Sequence, residues 1–313
     1  MTGTDDQDTL ARRFEEHRGQ LRAVAYRMLG SLAEAEDAVQ EAWLKLTRAD
    51  VAAIENLGGW LTTVTGRVCL DLLRTRGTRR EQPMDETFVP DPVVRPLTQL
   101  DPEEEVVRAD SVGIALLVVL ETLRPDERLA FVLHDLFAVP FDDIAPILER
   151  SAASTRQLAS RARRRVRGAT PPADTDLGRQ QRVLEAFLAA SRAGDFEALV
   201  AVLHPDVVLR VDAGALARGA AVSKVVRGAR TVAAQALTFS RFAGTARLVL
   251  VNGAIGLANA PADGPASVMG VTVADGRITH LYILADGDRL KQLGPAVGQA
   301  ERPEPSGAPT AGQ

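Results

Sequence analysis

Apolar residues recur at helical spacing from the start of the chain. Leu10, Phe14, Leu21, Ala25 and Met28 share one face, and after the polar break "GSLAEAED" the pattern resumes at Ala35, Val39, Ala42 and Leu46. Ser31, three residues ahead of Glu34, is placed to cap the second helix through a capping box. Beyond "NLGG", Trp60 or Leu61 falls in line with Val64, Val68 and Leu72, which completes a helical bundle. Five prolines between Pro83 and Pro102 then exclude a helix and predict a linker. Helical patterning returns in "EEEVVRADSVGIALLVVLETL", "PDERLAFVLHDLF" and "FDDIAPILE", and Gly168, Pro171 and Pro172 close this second unit.

After "PPADTD" the period changes. A helix over 178–192 and a short one over 195–203 precede strand-like runs, with Asn252-Gly253 and Asp275-Gly276 as two-residue hairpin signals. The expected fold class is multidomain: two all-α domains, the second with a helix-turn-helix, followed by an α+β domain with an antiparallel sheet. The boundaries fall at 1–82, a linker 83–100, 101–168, a linker 169–177, 178–295, and a tail 296–313 rich in Pro, Gly and polar residues that reads as disordered.

Composition narrows the function classes. At 313 residues the chain is long enough for two or three cores. No apolar run reaches the ~20 residues of a membrane span, and the polar start "MTGTDDQDTL" does not read as a signal peptide, so a cytoplasmic protein without a membrane partner is expected. Cys69 is the single cysteine, which excludes an intrachain disulfide and a multi-cysteine metal site; no metal and no cofactor are expected. Lys45, Lys224 and Lys291 are the only lysines among 37 basic residues, so arginine identity says little and clustering is what counts.

One cluster stands out in a chain of net charge -4. "SAASTRQLASRARRRVR", Ser151 to Arg167, carries six arginines and no acid. With "FDDIAPILER" before it, the segment has the layout of a helix-turn-helix: Ser151 caps the second helix, and Thr155, Ala159, Ala162 and Val166 form a narrow buried stripe. The opposite face carries Ser154, Arg156, Gln157, Ser160, Arg161 and Arg164. Arg and Gln can reach base edges in a major groove while serines contact phosphate. Six like charges on one helix repel one another, which favours a polyanionic partner over a merely solvated face.

Three motifs, "SLAEAEDAVQEAWLKL", "GGWLTTVTGRVCLDLLRTRGTRR" and "FDDIAPILERSAASTRQLASRARRRV", resemble regions 2 and 4 of extracytoplasmic-function sigma factors, in the same order. The resemblance covers about Leu10 to Arg167. The C-terminal part is similar to the SnoaL-like cone fold fused to one subgroup of that family, and "FVPDPV" (Phe88 to Val93) resembles the subgroup's linker signature. The chain departs from the subgroup at "VDAGALARGAAVSKVV", where a glycine run is usual, and at "LADGDRL".

The resemblance implies a protein that binds core RNA polymerase and promoter DNA and is not itself an enzyme. It implies polymerase contacts at Asp37, Gln40 and Glu41, -35 duplex contacts on the arginine helix, and -10 element contacts at Arg67, Arg74, Arg76, Arg79 and Arg80, with Asn56 reading a flipped base. Trp60 reads either as a stacking platform or as core. The C-terminal domain is expected to contact the sigma domains in cis and regulate them. It also offers a candidate pocket at His204, Asp206, Arg210, Asp212, His280 and Tyr282 for an unknown small ligand. Two other readings stay open: a free-standing helix-turn-helix regulator, and a DNA-tethered enzyme in which His204 and Asp212 act as an acid/base pair.

Overall fold

The computed structural model describes residues 2–79, 87–97, 113–169, 173–214, 222–260 and 266–293. Arg80, the tail 296–313, and parts of the two expected linkers lie outside the described residues.

The N-terminal unit consists of α1 (Thr2–Leu29), α2 (Leu32–Leu46) and α3 (Leu57–Arg79). The second contains α4 (Ile114–Glu121), α5 (Pro125–Phe131), α6 (Phe141–Leu148) and α7 (Ala152–Ala169), with a π-helical turn at Val132–Leu136. These two units are not separate bodies. Val24, Met28 and Leu29 of α1 and Leu70 and Leu73 of α3 share one core with Leu117, Leu129 and Ile144 of the second unit. Arg128, 2% exposed, crosses the junction: its Nε and Nη2 donate to the Arg27 carbonyl at 3.2 and 3.1 Å, and Nη2 pairs with Glu121 at 2.6 Å. It thereby satisfies a carbonyl at the C-terminal end of α1, where the helix dipole favours a cation. In this core Cys69 is fully buried, and desolvation pushes its thiol up to about 12. Cys69 should therefore resist iodoacetamide in the native protein and react on unfolding; alkylation at the rate of a free thiol peptide would contradict this packing.

The C-terminal domain has α8 (Leu177–Ala193), α9 (Phe196–Val202), β2 (Leu203–Asp212), β3 (Lys224–Arg227), α10 (Ala229–Thr238), β4 (Ala246–Val251), β5 (Ala254–Asn259), β6 (Ser267–Ala274), β7 (Arg277–Leu284) and α11 (Gly287–Gln292). Asn252-Gly253 and Asp275-Gly276 turn the two expected hairpins, all four residues at positive φ as a two-residue type I′ turn requires. The sheet is mixed, since β2 runs parallel to β7 and every other pair is antiparallel.

The sheet has seven strands in the order β1-β4-β5-β6-β7-β2-β3, and its edge strand β1 (Val94–Pro96) comes from the stretch expected to be a linker. Val94 lies opposite Val251 and Pro96 opposite Val249. A proline is tolerated there because an edge strand has no second neighbour to donate to. The proline-rich segment is thus a strap that joins the N-terminal helices to the C-terminal sheet.

One face of the sheet packs under α8–α10, with Leu209, Leu257, Val271 and Leu281 in that core. The other face packs against the helical part and the strap: Ile114 and Val118 of α4 and Val89 of the strap lie on Val251, Val268, Tyr282 and Leu284. Gly270 on β6 permits this approach, since a Cβ there would stand 2.9 Å from the Ile114 side chain.

Candidate nucleic-acid interface

The helix-turn-helix is built by local rules. Glu149 takes a left-handed conformation (φ 54°) to end α6, and Ser151 Oγ accepts from Ser154 N at 3.2 Å to start α7. Thr155, Leu158, Ala159 and Ala162 are buried, while Arg156, Gln157, Ser160, Arg161 and Arg164 are exposed and Ser154 is half-buried. The expected repulsion along this helix is relieved inside the protein. Arg163 pairs with Asp135, Arg165 with Glu127 at 3.1 Å, and Arg161 with the same carboxylate at 3.8 Å. Glu127 is buried, so these acids set the helix in place, and like charge by itself does not demand a polyanion here. The guanidinium of Arg156 lies 5.2 Å from the Phe141 ring centroid, which fixes its stem. Arg164 and Arg167 make no ion pair among the described residues, leaving them, with Gln157, as the open part of the surface.

On α2 the acidic residues divide. Glu34 pairs with Arg76, and Glu36 is held by Arg22 at 2.8 Å and Arg18 at 3.3 Å, so both serve the bundle. Asp37 and Gln40 are exposed, Glu41 is half-buried with a 3.3 Å pair to Lys45, and Leu44 next to them is 39% exposed. An exposed leucine beside an acidic patch is a feature that charge reasoning alone passes over.

On α3 the arginines point to different partners. Arg74 pairs with Asp126 at 3.0 Å, a carboxylate it shares with Arg150 at 3.3 Å, and Arg67 reaches Glu149 at 4.0 Å. Both contacts cross from the first helical unit to the second. Arg76 stays with Glu34, and Arg79 is described only as backbone. Asn56 caps α3: its Oδ1 accepts from Gly59 N at 3.0 Å. Trp60 packs half-buried against the small core that includes Leu57 and Leu61 and also lines a recess with Ile54 and Asn56, so it serves as core on one side and wall on the other.

The candidate pocket residues do not converge on the domain's cavity. Leu209, Val211, Leu281 and Ile283 line a cavity under α8 and α10, so the alternating Arg210, Asp212, His280 and Tyr282 face the other side of the sheet. His204 and Asp212 sit at opposite ends of β2, which rules out a direct acid/base pair, and His204 Nδ1 accepts from Asp206 N at 3.1 Å in a local turn. Burial and the nearby Arg210 lower the His280 pKa, while burial raises Tyr282 to about 12, so neither is poised as a charged acid or base at neutral pH.

Asp212 has a different role. With Asp91 of the strap it grips Arg289 of α11, at 2.7 Å from Asp212 to Nη1 and 2.7 Å from Asp91 to Nε. Arg289 Nη2 also donates to the Val89 carbonyl at 2.6 Å, and the guanidinium lies 4.9 Å from the Phe88 ring centroid. The second oxygen of Asp91 accepts from Leu32 N at 2.8 Å, so Asp91, and not the Ser31 side chain, caps α2. Tyr26 Oη donates to the Asp91 carbonyl at 2.5 Å and accepts from Asn252 Nδ2 at 3.0 Å, while Asn252 Oδ1 accepts from Val93 N at 3.0 Å. Burial raises the Tyr26 pKa well above its ordinary value, keeping it a donor. This clasp ties α1 and α2, the strap and the C-terminal sheet through charge-assisted bonds.

Two helical units with a capped helix-turn-helix, joined by a strap to an α+β cone, define a DNA-binding protein of the sigma-70 type. Residues 13–79 match the family Sigma-70 region 2, and residues 114–166 match Sigma-70, region 4. The ECF RNA polymerase sigma factor SigJ of Mycobacterium tuberculosis is 41% identical over 291 residues, spanning 88% of this chain and 92% of that relative. The probable ECF RNA polymerase sigma factor SigI of the same species is 35% identical, spanning 93% and 98%. The crystal structure of M. tuberculosis SigJ superposes with a TM-score of 0.70 at 38% identity, covering 90% of this chain and 98% of that one. The chain belongs to the extracytoplasmic-function RNA polymerase sigma factors, in the group that carries a fused SnoaL-like domain. SigJ and SigI, which both extend over the C-terminal domain, are sigma factors.

Proposed function

We propose that this chain binds core RNA polymerase through Asp37, Gln40, Glu41 and Leu44 and directs it to promoters in the cytoplasm. Residues 1–82 act as the region-2 unit and 101–168 as the region-4 unit, with the open face of α7 on -35 duplex. Residues 178–295 regulate both in cis. The observation that carries this reading is the exposed patch on α2 together with the exposed α7 face, two recognition surfaces of opposite charge in one chain. A free-standing helix-turn-helix regulator has no use for the first.

The same reading makes the packed arrangement a resting state. Arg74 is engaged by Asp126 at 3.0 Å and not by melted DNA, whereas Arg67 only approaches Glu149 at 4.0 Å on the open surface and stays available. Separating the two helical units uncovers Leu117, Leu129, Leu70 and their neighbours, at about 1.5–3 kcal/mol for each large side chain. Only a partner that binds the open form can offset this, and core polymerase is that partner.

For the -35 face, Arg161→Ala with Arg164→Ala should weaken binding to upstream promoter duplex and reduce its log–log salt slope by about 1 to 2, one unit per lost phosphate contact. Fluorescence anisotropy across a salt titration measures it. An unchanged slope would assign α7 a structural role only.

A further inference from the structure

Arg156 is held differently from its neighbours on α7. Arg161, Arg163 and Arg165 meet carboxylates, whereas the exposed Arg156 makes no ion pair among the described residues and carries its guanidinium over the Phe141 ring, 5.2 Å from the centroid. The two contacts leave different chemistry behind. A carboxylate takes up guanidinium N–H donors, which a nucleic acid must then displace. An aromatic face attracts the same cation through its π cloud and leaves the in-plane donors of the fork free.

The ring is itself fixed. Phe141, the first residue of α6, is half-buried against the core that the two helical units share. The His134 imidazole stacks on it, with centroids 3.7 Å apart and planes inclined by 27°. His134 Nδ1 donates to the Val139 carbonyl at 3.0 Å, which sets the orientation of that imidazole. The π-helical turn that presents His134 is anchored on both sides: Asp135 pairs with Arg163 of α7, and the Arg27 guanidinium of α1 lies 4.8 Å from the Phe137 ring centroid.

Arg156 lies near the N-terminal end of α7, the end from which a recognition helix reaches base edges. A guanidinium with its fork free matches the O6 and N7 acceptors of guanine, and a stem already fixed lowers the ordering cost of binding. We propose that Arg156 reads one guanine of the -35 duplex through this bidentate pair, and that Phe141 is the positioning residue that aims it. The inference rests on the placement of α7 on -35 duplex proposed above.

The test is selection of binding sites from a randomised duplex library by the reconstituted holoenzyme, with competition measured at each position of the selected site. Arg156→Ala should lower the guanine preference at one position by about tenfold or more and spare the others. Phe141→Leu keeps apolar bulk in the core and should lower the preference at that same position by about fivefold, while Phe141→Tyr retains it. In the Arg156→Ala background, Phe141→Leu should add nothing, because it acts through that arginine. A loss spread evenly over all positions, or one that persists in full without Arg156, would overturn the positioning role. Guanine preference indifferent to Arg156→Ala, in a holoenzyme whose binding still weakens on Arg161→Ala with Arg164→Ala, would overturn the inference and spare the -35 reading. A parent holoenzyme that selects no site would overturn both.

Discussion

Arg289→Ala should open the protein. The substitution removes the cation between Asp91 and Asp212, whose side chains are 5% and 10% exposed, and leaves two nearly buried carboxylates facing each other. Breaking a buried ion pair from one side costs on the order of 3–5 kcal/mol, and here the cost is relieved by letting the strap and α11 part. The same cut deprives the Val89 carbonyl of its donor and the Phe88 ring of its cation. Small-angle scattering should show a larger radius of gyration, and the strap between Phe88 and Pro96 should become cleavable under native conditions. Transcription by the reconstituted holoenzyme should change by severalfold, a coupling of about 1 kcal/mol or more. Point substitution is the cleaner probe than deletion of the domain, because deletion would also bare Ile114, Val118 and Val89. Unaltered scattering and unaltered transcription would reduce the clasp to an ordinary surface ion pair.

Asp37→Arg with Glu41→Arg should abolish core polymerase binding with the fold intact. Asp37 is exposed, and Glu41 gives up only a solvent-facing pair with Lys45, worth ~0.5 kcal/mol to the helix. Reversing two charges on a docking surface, a change of four units, costs far more than this when the partner is basic, since like charges are brought together across the interface. Circular dichroism and thermal unfolding should match the parent protein while gel filtration with core polymerase shows no complex. A variant that assembles normally would move the docking surface elsewhere on the molecule.

Much of the architecture was legible in the sequence because helical and strand periods, hairpin dipeptides and the Ser151 cap are local signals. Nothing local marks Asp91 as the cap of α2: Ser31 sits at the right place, but the carboxylate that takes Leu32 N arrives from a segment 59 residues away. Within the described residues 87–97 the prolines stand in no helix, yet a proline-tolerant edge strand and a linker look alike until the strand's partner β4 is known. For the candidate pocket, period-two alternation separates Asp212, His280 and Tyr282 from their neighbours but does not say which face is covered by helices. Here the covered face holds the cavity and the other holds α4. Charge counting saw six arginines on α7 and missed Glu127 and Asp135, two carboxylates on other elements that Arg161, Arg163 and Arg165 approach. Arg289 lies in "LADGDRL", the segment where the chain departs from its subgroup, and that departure was the available signal.

The central claim, that this chain is a promoter-specificity factor whose docking surface lies on α2, is tested most directly by run-off transcription. Core polymerase is combined with the full chain, or with its Asp37→Arg, Glu41→Arg variant, on promoter fragments selected by binding to the holoenzyme. The parent chain should yield a discrete transcript, core alone none and the variant none. A chain that binds those fragments alone yet neither co-elutes with core nor supports a transcript would contradict it.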